Sequence, residues 1–288
     1  MVHEAHTRQQ SARGIRQPAR RSRGEGGCGV RSAQCAVRGL RPVVLVAALL
    51  VGTILGAQTQ PTSYRETIPG TLVSFEMVAV PGSATQPAFH MSRTEVTWDL
   101  YDVYALSLDA PAPPPAGVDA VARPSSPYGA PDYGWGHAGF PVISVTRHAA
   151  ESFTKWLSLT TGREYRLPTE AEWQHAATLA GAGHTAMDTL AWHAGNADAR
   201  THAVGTRAPD ALGLFDLFGN AAEWVMTEGD TLVVRGGSFR DAAPVVGPTA
   251  RAVQDDTWNE RDPQLPKSQW WLSDAPHVGV RLVRGVRQ

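Results

Sequence analysis

The stretch Gly162-Arg-Glu-Tyr-Arg-Leu-Pro-Thr-Glu-Ala-Glu-Trp-Gln-His-Ala-Ala177 decides how the rest of the chain is read. Gly162 suits the left-handed residue that closes a helix, because it has no Cβ to clash there. Pro168 keeps Leu167 out of helical geometry, so the chain must enter the next element extended. Thr169, followed three residues later by Glu172, has the spacing of a capping box. Glu170 and Glu172 also stand where the helix dipole favours negative charge. Trp173, Ala176, Ala177 and Ala180 then form an apolar stripe at helical spacing. The stretch predicts a helix end, an extended link and a new helix.

Outward from this corner, other blocks follow in order. They are Thr94-Glu-Val-Thr-Trp-Asp-Leu-Tyr101, Pro141-Val-Ile-Ser-Val145, Gly213-Leu-Phe-Asp-Leu-Phe-Gly-Asn-Ala-Ala-Glu-Trp224, Arg235-Gly-Gly-Ser-Phe239 and Gly279-Val-Arg281. Together with Arg166-Leu-Pro-Thr-Glu-Ala-Glu-Trp173 they resemble the sulfatase-modifying-factor, or formylglycine-generating-enzyme-like, family. Several blocks in one order are far more specific than any one of them. The resemblance implies an α+β, C-type-lectin-like fold: a twisted, mostly antiparallel sheet, a few helices and many long loops. One domain is expected over residues 66–288.

Before that domain the composition changes. Residues 1–57 carry nine arginines, no lysine and two glutamates, a charge of +7, whereas the remainder has 17 basic and 25 acidic residues. An acidic domain leaves no electrostatic footprint for nucleic acid. A basic leader (1–41) precedes an apolar run (42–57) shorter than the ~20 residues a spanning helix needs. That run reads as a signal-peptide h-region or a signal anchor, so the domain is expected to be exported: periplasmic, secreted or membrane-anchored. Residues 58–65 read as a linker. The two cysteines, Cys28 and Cys35, both lie in the leader, so the domain has no disulfide framework although export would permit one.

Along the domain, Thr71 to Val80 is rich in β-formers and ends at the Pro81-Gly82 turn, which predicts a first strand. Thr97 is placed to cap a helix burying Leu100, Tyr101 and Tyr104, and Thr146 one that ends at Gly162. The Pro-, Ala- and Gly-rich segment from Ala110 to Gly139 predicts an irregular insertion clamped by its aromatics; loops this long are uncommon and often functional. Thr231 to Phe239 reads as a strand running into a Gly-Gly kink. Val278 to Val283 reads as a strand that closes the sheet.

Formylglycine-generating members oxidise a peptide cysteine with molecular oxygen, using copper held by two thiolates; soft sulfur selects Cu(I). Carried over from that resemblance, the two cysteine positions fall on Asp241 and Val246, which makes copper an unexpected cofactor here. Ser238 matches the active-site serine but lacks those partners. The resemblance also implies structural calcium at Asn220 and Glu223, with a second, less well matched site near Asn196 and Asp198. Oxygen donors suit that hard cation, and they equally suit hydrogen bonds to loop backbone. Arg235 and Arg281 read as buried arginines paired with Asp216 or Glu223. Phe239, Arg240, Trp258, Trp270 and Trp271 are the candidate ligand contacts, since aromatics beside amides are what saccharide or peptide binding uses. Trp258, Trp270 and Trp271 are also what a loop needs to pin itself to a small core, and that reading is the favoured one for them.

Three functions are thus in view: an exported, non-oxidase module binding a peptide, protein or saccharide; an enzyme whose chemistry needs no cysteine; and true formylglycine generation, against which Asp241 and Val246 stand.

Overall fold

Strand β1 (Tyr64–Thr67) pairs antiparallel with β2 (Ser74–Val80), and β2 pairs in turn with β3 (Phe89–Ser92). These strands belong to a computed structural model that describes residues 61–109, 115–118, 121–127, 129–181 and 187–286. The leader, the apolar run, both cysteines, Tyr128 and His184 lie outside the described residues. β1 starts at Tyr64, inside the stretch expected to be linker, because its Tyr64 and Glu66 side chains bond to the Tyr165 hydroxyl at 3.0 and 2.6 Å. The strand expected from Thr71 begins instead at Ser74. Thr71 turns the chain by bonding the Ile68 carbonyl through its hydroxyl.

The helices sit where capping chemistry puts them. α1 (Trp98–Ala105) follows Thr97, whose side chain makes no capping bond, and buries Leu100, Tyr101 and Tyr104. α2 (Arg147–Thr161) is capped by the Thr146 hydroxyl and closed by Gly162 at φ 67°. α3 (Glu170–Leu179) carries both halves of the capping box: Glu172 N–H donates to the Thr169 hydroxyl and Thr169 N–H to the Glu172 carboxylate. Arg166 clamps that carboxylate at 2.6 and 2.7 Å, which locks the extended link onto the new helix. A short α4 (Met187–Leu190) leads into the loops before β4 (Ala222–Val225).

β4 lies between β5 (Val233–Gly236) and β7 (Val278–Gly279), while β6 (Gly247–Val253) pairs with the far side of β5. The pairing of β4 with β7 is parallel and the others in this sheet are antiparallel. The final β8 (Val283–Gly285) returns to the first sheet beside β3. Among the described residues two four-stranded sheets therefore form, where one closing strand was expected. The run Val278–Val283 splits because Arg281 turns into the interior between them, with its side chain 0% exposed. The largest buried side chains include Trp98, Trp156, Trp173 and Trp224. Each aromatic withdrawn from water contributes on the order of 2–3 kcal/mol.

Candidate functional site

The corner expected to hold chemistry is built where β5 ends. Gly236 (φ 93°) and Gly237 (φ 73°) adopt the left-handed conformation open to residues without a Cβ. A Cβ on Gly236 would meet the Leu217 carbonyl at 2.8 Å. Past this kink, Ser238 is fully buried, and its N–H and hydroxyl both donate to one carboxylate oxygen of Asp241, at 2.8 and 2.9 Å. The Ser238 hydroxyl accepts in turn from Arg240 N–H at 3.2 Å. This is a local turn held by side chains. Val246 is fully buried in the core, its backbone and side chain against Gly237. Neither position offers a soft ligand, and Asp241 already serves as an acceptor within its own turn.

Between Ser238 and Asp241 the Phe239 ring is buried and Arg240 is exposed, so the ring backs a surface formed by Tyr133, Trp135 and the guanidinium. Trp135 from the 110–139 insertion meets the Phe239 ring edge-on at 5.3 Å, and Tyr133 stacks on Trp135 at 5.0 Å. The Arg240 guanidinium lies 5.6 Å from the Phe239 centroid and donates to His277 Nδ1 at 3.2 Å. Burial first, and the Arg240 charge second, push His277 down to about 4, so it is a neutral acceptor at pH 7. Tyr133 ties the insertion to the domain through the Ser273 carbonyl. His137 does the same by bridging Asp102 and Asp132 at 2.7 and 3.0 Å. Burial opposes the charged imidazole there, but the two carboxylates outweigh it and hold His137 above its ordinary value.

Of the expected ligand contacts, Arg240 falls on this surface; Phe239, 2% exposed, does not and only supports it from beneath. Trp258 and Trp270 do not: they are 8% and 7% exposed and pack into the core. Trp258 meets Trp224 at 5.9 Å and Trp270 meets His148 at 4.9 Å. Their indoles pin the 255–273 segment to a sheet too short to hold it otherwise. Trp271 is half-buried, donates to the Ser125 carbonyl at 2.8 Å, and faces a separate cavity that neither Ser238 nor Asp241 lines.

At Asn220 and Glu223 the calcium expectation fails a test of fit. Glu223 is fully buried, with one oxygen accepting from Arg281 Nε at 2.6 Å and the other from Trp173 Nε1 at 2.8 Å. Asn220 accepts from His202 N–H at 2.9 Å and donates to Glu95 at 2.8 Å. A dication coordinated by Glu223 would sit against a guanidinium, and these residues do not fit calcium in this arrangement. Asn196 accepts from His193 N–H at 2.8 Å, again within its own loop. Among the described residues no cluster of three His, Cys, Asp or Glu is arranged to hold a metal.

Of the two arginines expected to be paired, Arg281 does bind Glu223, and it also donates to the Ser92 and Phe215 carbonyls at 2.8 and 2.7 Å. Arg235 pairs with Glu170, at 2.8 Å, rather than with Asp216 or Glu223. Its guanidinium leaves β5 on the side of α3 and lies over Trp173 at 5.0 Å. Sequence reasoning missed Glu95, a buried carboxylate that accepts from both Asn220 and Ala221 N–H. Glu95 stands inside the Thr94–Tyr101 block, but nothing local marks it as buried. Its two donors are 125 and 126 residues away.

Comparison with known proteins places these features in a wider set. The family model described as sulfatase-modifying factor enzyme 1-like domain matches residues 74–286. A serine/threonine-protein kinase, pkn1, of Chlamydia pneumoniae is 34% identical over 92 residues, 31% of this chain and 14% of that protein. The chain thus spans a small fraction of that relative's length. Among solved structures, variable protein 1 of Treponema denticola is similar with a TM-score of 0.55 and 21% identity, over 78% of this chain and 100% of that one. PvdO of Pseudomonas aeruginosa is similar with a TM-score of 0.53 and 21% identity, over 78% and 91% of the two chains. At that identity the likeness is one of fold.

Proposed function

Because this chain belongs to the sulfatase-modifying factor enzyme 1-like family, we propose that it is a non-oxidase member of it, an exported module that binds a peptide, protein or saccharide. One observation carries this reading. At the two positions where the family's copper chemistry needs thiolates stand Asp241, committed to the Ser238 turn, and Val246, committed to the core. Cu(I) takes soft sulfur ligands, and an aspartate and a valine supply none. The same corner instead displays Tyr133, Trp135 and Arg240 over the buried Phe239 ring, a surface of rigid aromatics and one guanidinium. Such residues provide contact area at low conformational cost and are enriched where proteins bind other molecules.

Export rests on the apolar run 42–57 after an arginine-rich leader. Among the described residues no helix is long and apolar enough to cross a membrane, so membrane attachment would fall to that N-terminal run.

The test is anaerobic Cu(I) titration of the protein in competition with a chromogenic chelator. With the two leader thiols removed (Cys28→Ser, Cys35→Ser), the protein is expected to leave the chelator's copper untouched. Uptake of one equivalent, lost on Asp241→Ala, would overturn the reading.

A further inference from the structure

A cavity of about 350 Å³ opens between residues 126–127 and 129–133 on one side and residues 259–273 on the other. Pro127, Pro131 and Pro263 wall it together with Trp271, which gives flat, rigid apolar surfaces. Ser144 is part of its lining, and the Ser144 hydroxyl is buried with no hydrogen-bond partner among the described residues. Buried hydroxyls without a partner are uncommon, and each calls for an explanation such as a ligand or an ordered water. Ser144 is also held at φ 61°, a conformation in which non-glycine residues cluster at binding and active sites. Its backbone is pinned there from both sides, by the Val278 carbonyl at 3.0 Å and by Leu272 N–H at 2.7 Å. Gln264 is anchored through its backbone N–H on Asp262, which leaves its carboxamide free among the described residues.

The charged groups around this cavity are already answered by the protein. Arg261 pairs with Asp274, and Asp262 accepts from Gln264 N–H, Ser268 N–H and the Asn259 amide. Among the described residues of the lining, no free charge therefore asks for an ionic ligand. No residue of the lining belongs to a β-strand, so an extended peptide would find no edge on which to add. The unanswered groups are a hydroxyl and a carboxamide, each able both to donate and to accept, beside flat apolar walls. A volume of this order encloses a small molecule.

We propose that this cavity is a binding site for a small neutral saccharide, whose hydroxyls meet Ser144 and Gln264 while its carbon faces pack on the prolines and Trp271. This deepens the ligand-binding reading given above and rests on it; the cavity shares Tyr133 with the corner described there, while Ser144, Gln264 and Trp271 lie outside that corner.

The experiment is saturation-transfer NMR followed by calorimetric titration of the full chain. The probes are glucose, galactose, mannose, N-acetylglucosamine, cellobiose and lactose, with glucuronate and a proline-rich peptide as comparators. At least one neutral sugar is expected to bind, and Gln264→Ala to weaken it about tenfold without lowering the melting temperature. Ser144→Gly removes the hydroxyl and relieves the left-handed strain, so it should also weaken binding while the fold is kept or firmed. Three results would overturn the proposal: no neutral sugar binds, affinity is unchanged in both variants, or only glucuronate or the peptide binds. Peptide binding would leave the broader ligand-binding reading standing, whereas copper uptake would end that reading through a different measurement.

Discussion

Asp241 accepts from both the N–H and the hydroxyl of Ser238, a duty that suits a carboxylate and that a thiolate would perform poorly. Three residues suffice to close this turn, so its chemistry was open to sequence reasoning once the spacing was noticed. Asp216 is a different case. One of its oxygens accepts from Gly205 N–H at 2.7 Å and the other is buried with no partner among the described residues. Burial pushes its carboxyl up to about 6, although the Gly205 N–H and the Arg281 charge pull the other way. A carboxyl whose folded value is raised binds its proton more readily in the folded state. It therefore favours folding most below its ordinary value, and that contribution fades as the pH rises through 4 to about 6. Asp216→Asn should flatten this limb and raise stability at pH 8, by at most roughly 3 kcal/mol. Asparagine also tolerates the positive φ of 53° found here. Urea unfolding of both proteins at pH 5 and pH 8 measures it; equal slopes with pH would contradict the account.

At the level of elements, short-range chemistry was legible and long-range pairing was not. The Gly162 closure, the Thr146 cap and the capping box at Thr169 all stand where residue spacing put them. The closing strand did not, because nothing between Val278 and Val283 announces that one end joins β4 and the other β3. In the aromatic segment 255–273 the core-pinning reading holds for Trp258 and Trp270 and the ligand-contact reading does not, a choice local sequence leaves open for a related reason. Exposure of Trp258 or Trp270 depends on which distant ring meets it, and composition is silent on that. Glycines divide in the same way. Gly162 has φ 67° but open space around it, whereas a Cβ on Gly219 (φ 77°) would lie 2.2 Å from the Trp192 carbonyl. Gly162→Ala should thus cost about 1 kcal/mol, the ordinary penalty of a left-handed alanine. Gly219→Ala should instead prevent folding or leave only aggregated protein. Thermal unfolding and recovery of soluble protein separate the two, and similar melting temperatures would refute the distinction.

Across the whole molecule, motif order sufficed for the family and the α+β fold, while the reaction lay beyond it. A family signature reports which residues build the scaffold. Glu223 and Arg281 belong to that signature and turn out to hold each other in the core, fully buried, at 2.6 Å. Breaking such a pair from one side leaves an uncompensated buried charge, typically a loss of 3–5 kcal/mol. With that guanidinium in place, calcium added to chelator-treated protein should leave the melting temperature unchanged. A rise that disappears in Glu223→Gln would show that a cation does reach this carboxylate.

The central claim is that the scaffold persists here without the copper-dependent cysteine oxidation, because Asp241 and Val246 stand at the thiolate positions. Mass spectrometry of a Cys-x-Pro-x-Arg peptide, incubated in air with the copper-supplemented protein, tests this most directly. The peptide should keep its thiol and its mass beside an active positive control. Loss of the thiol with formation of an aldehyde would contradict the claim.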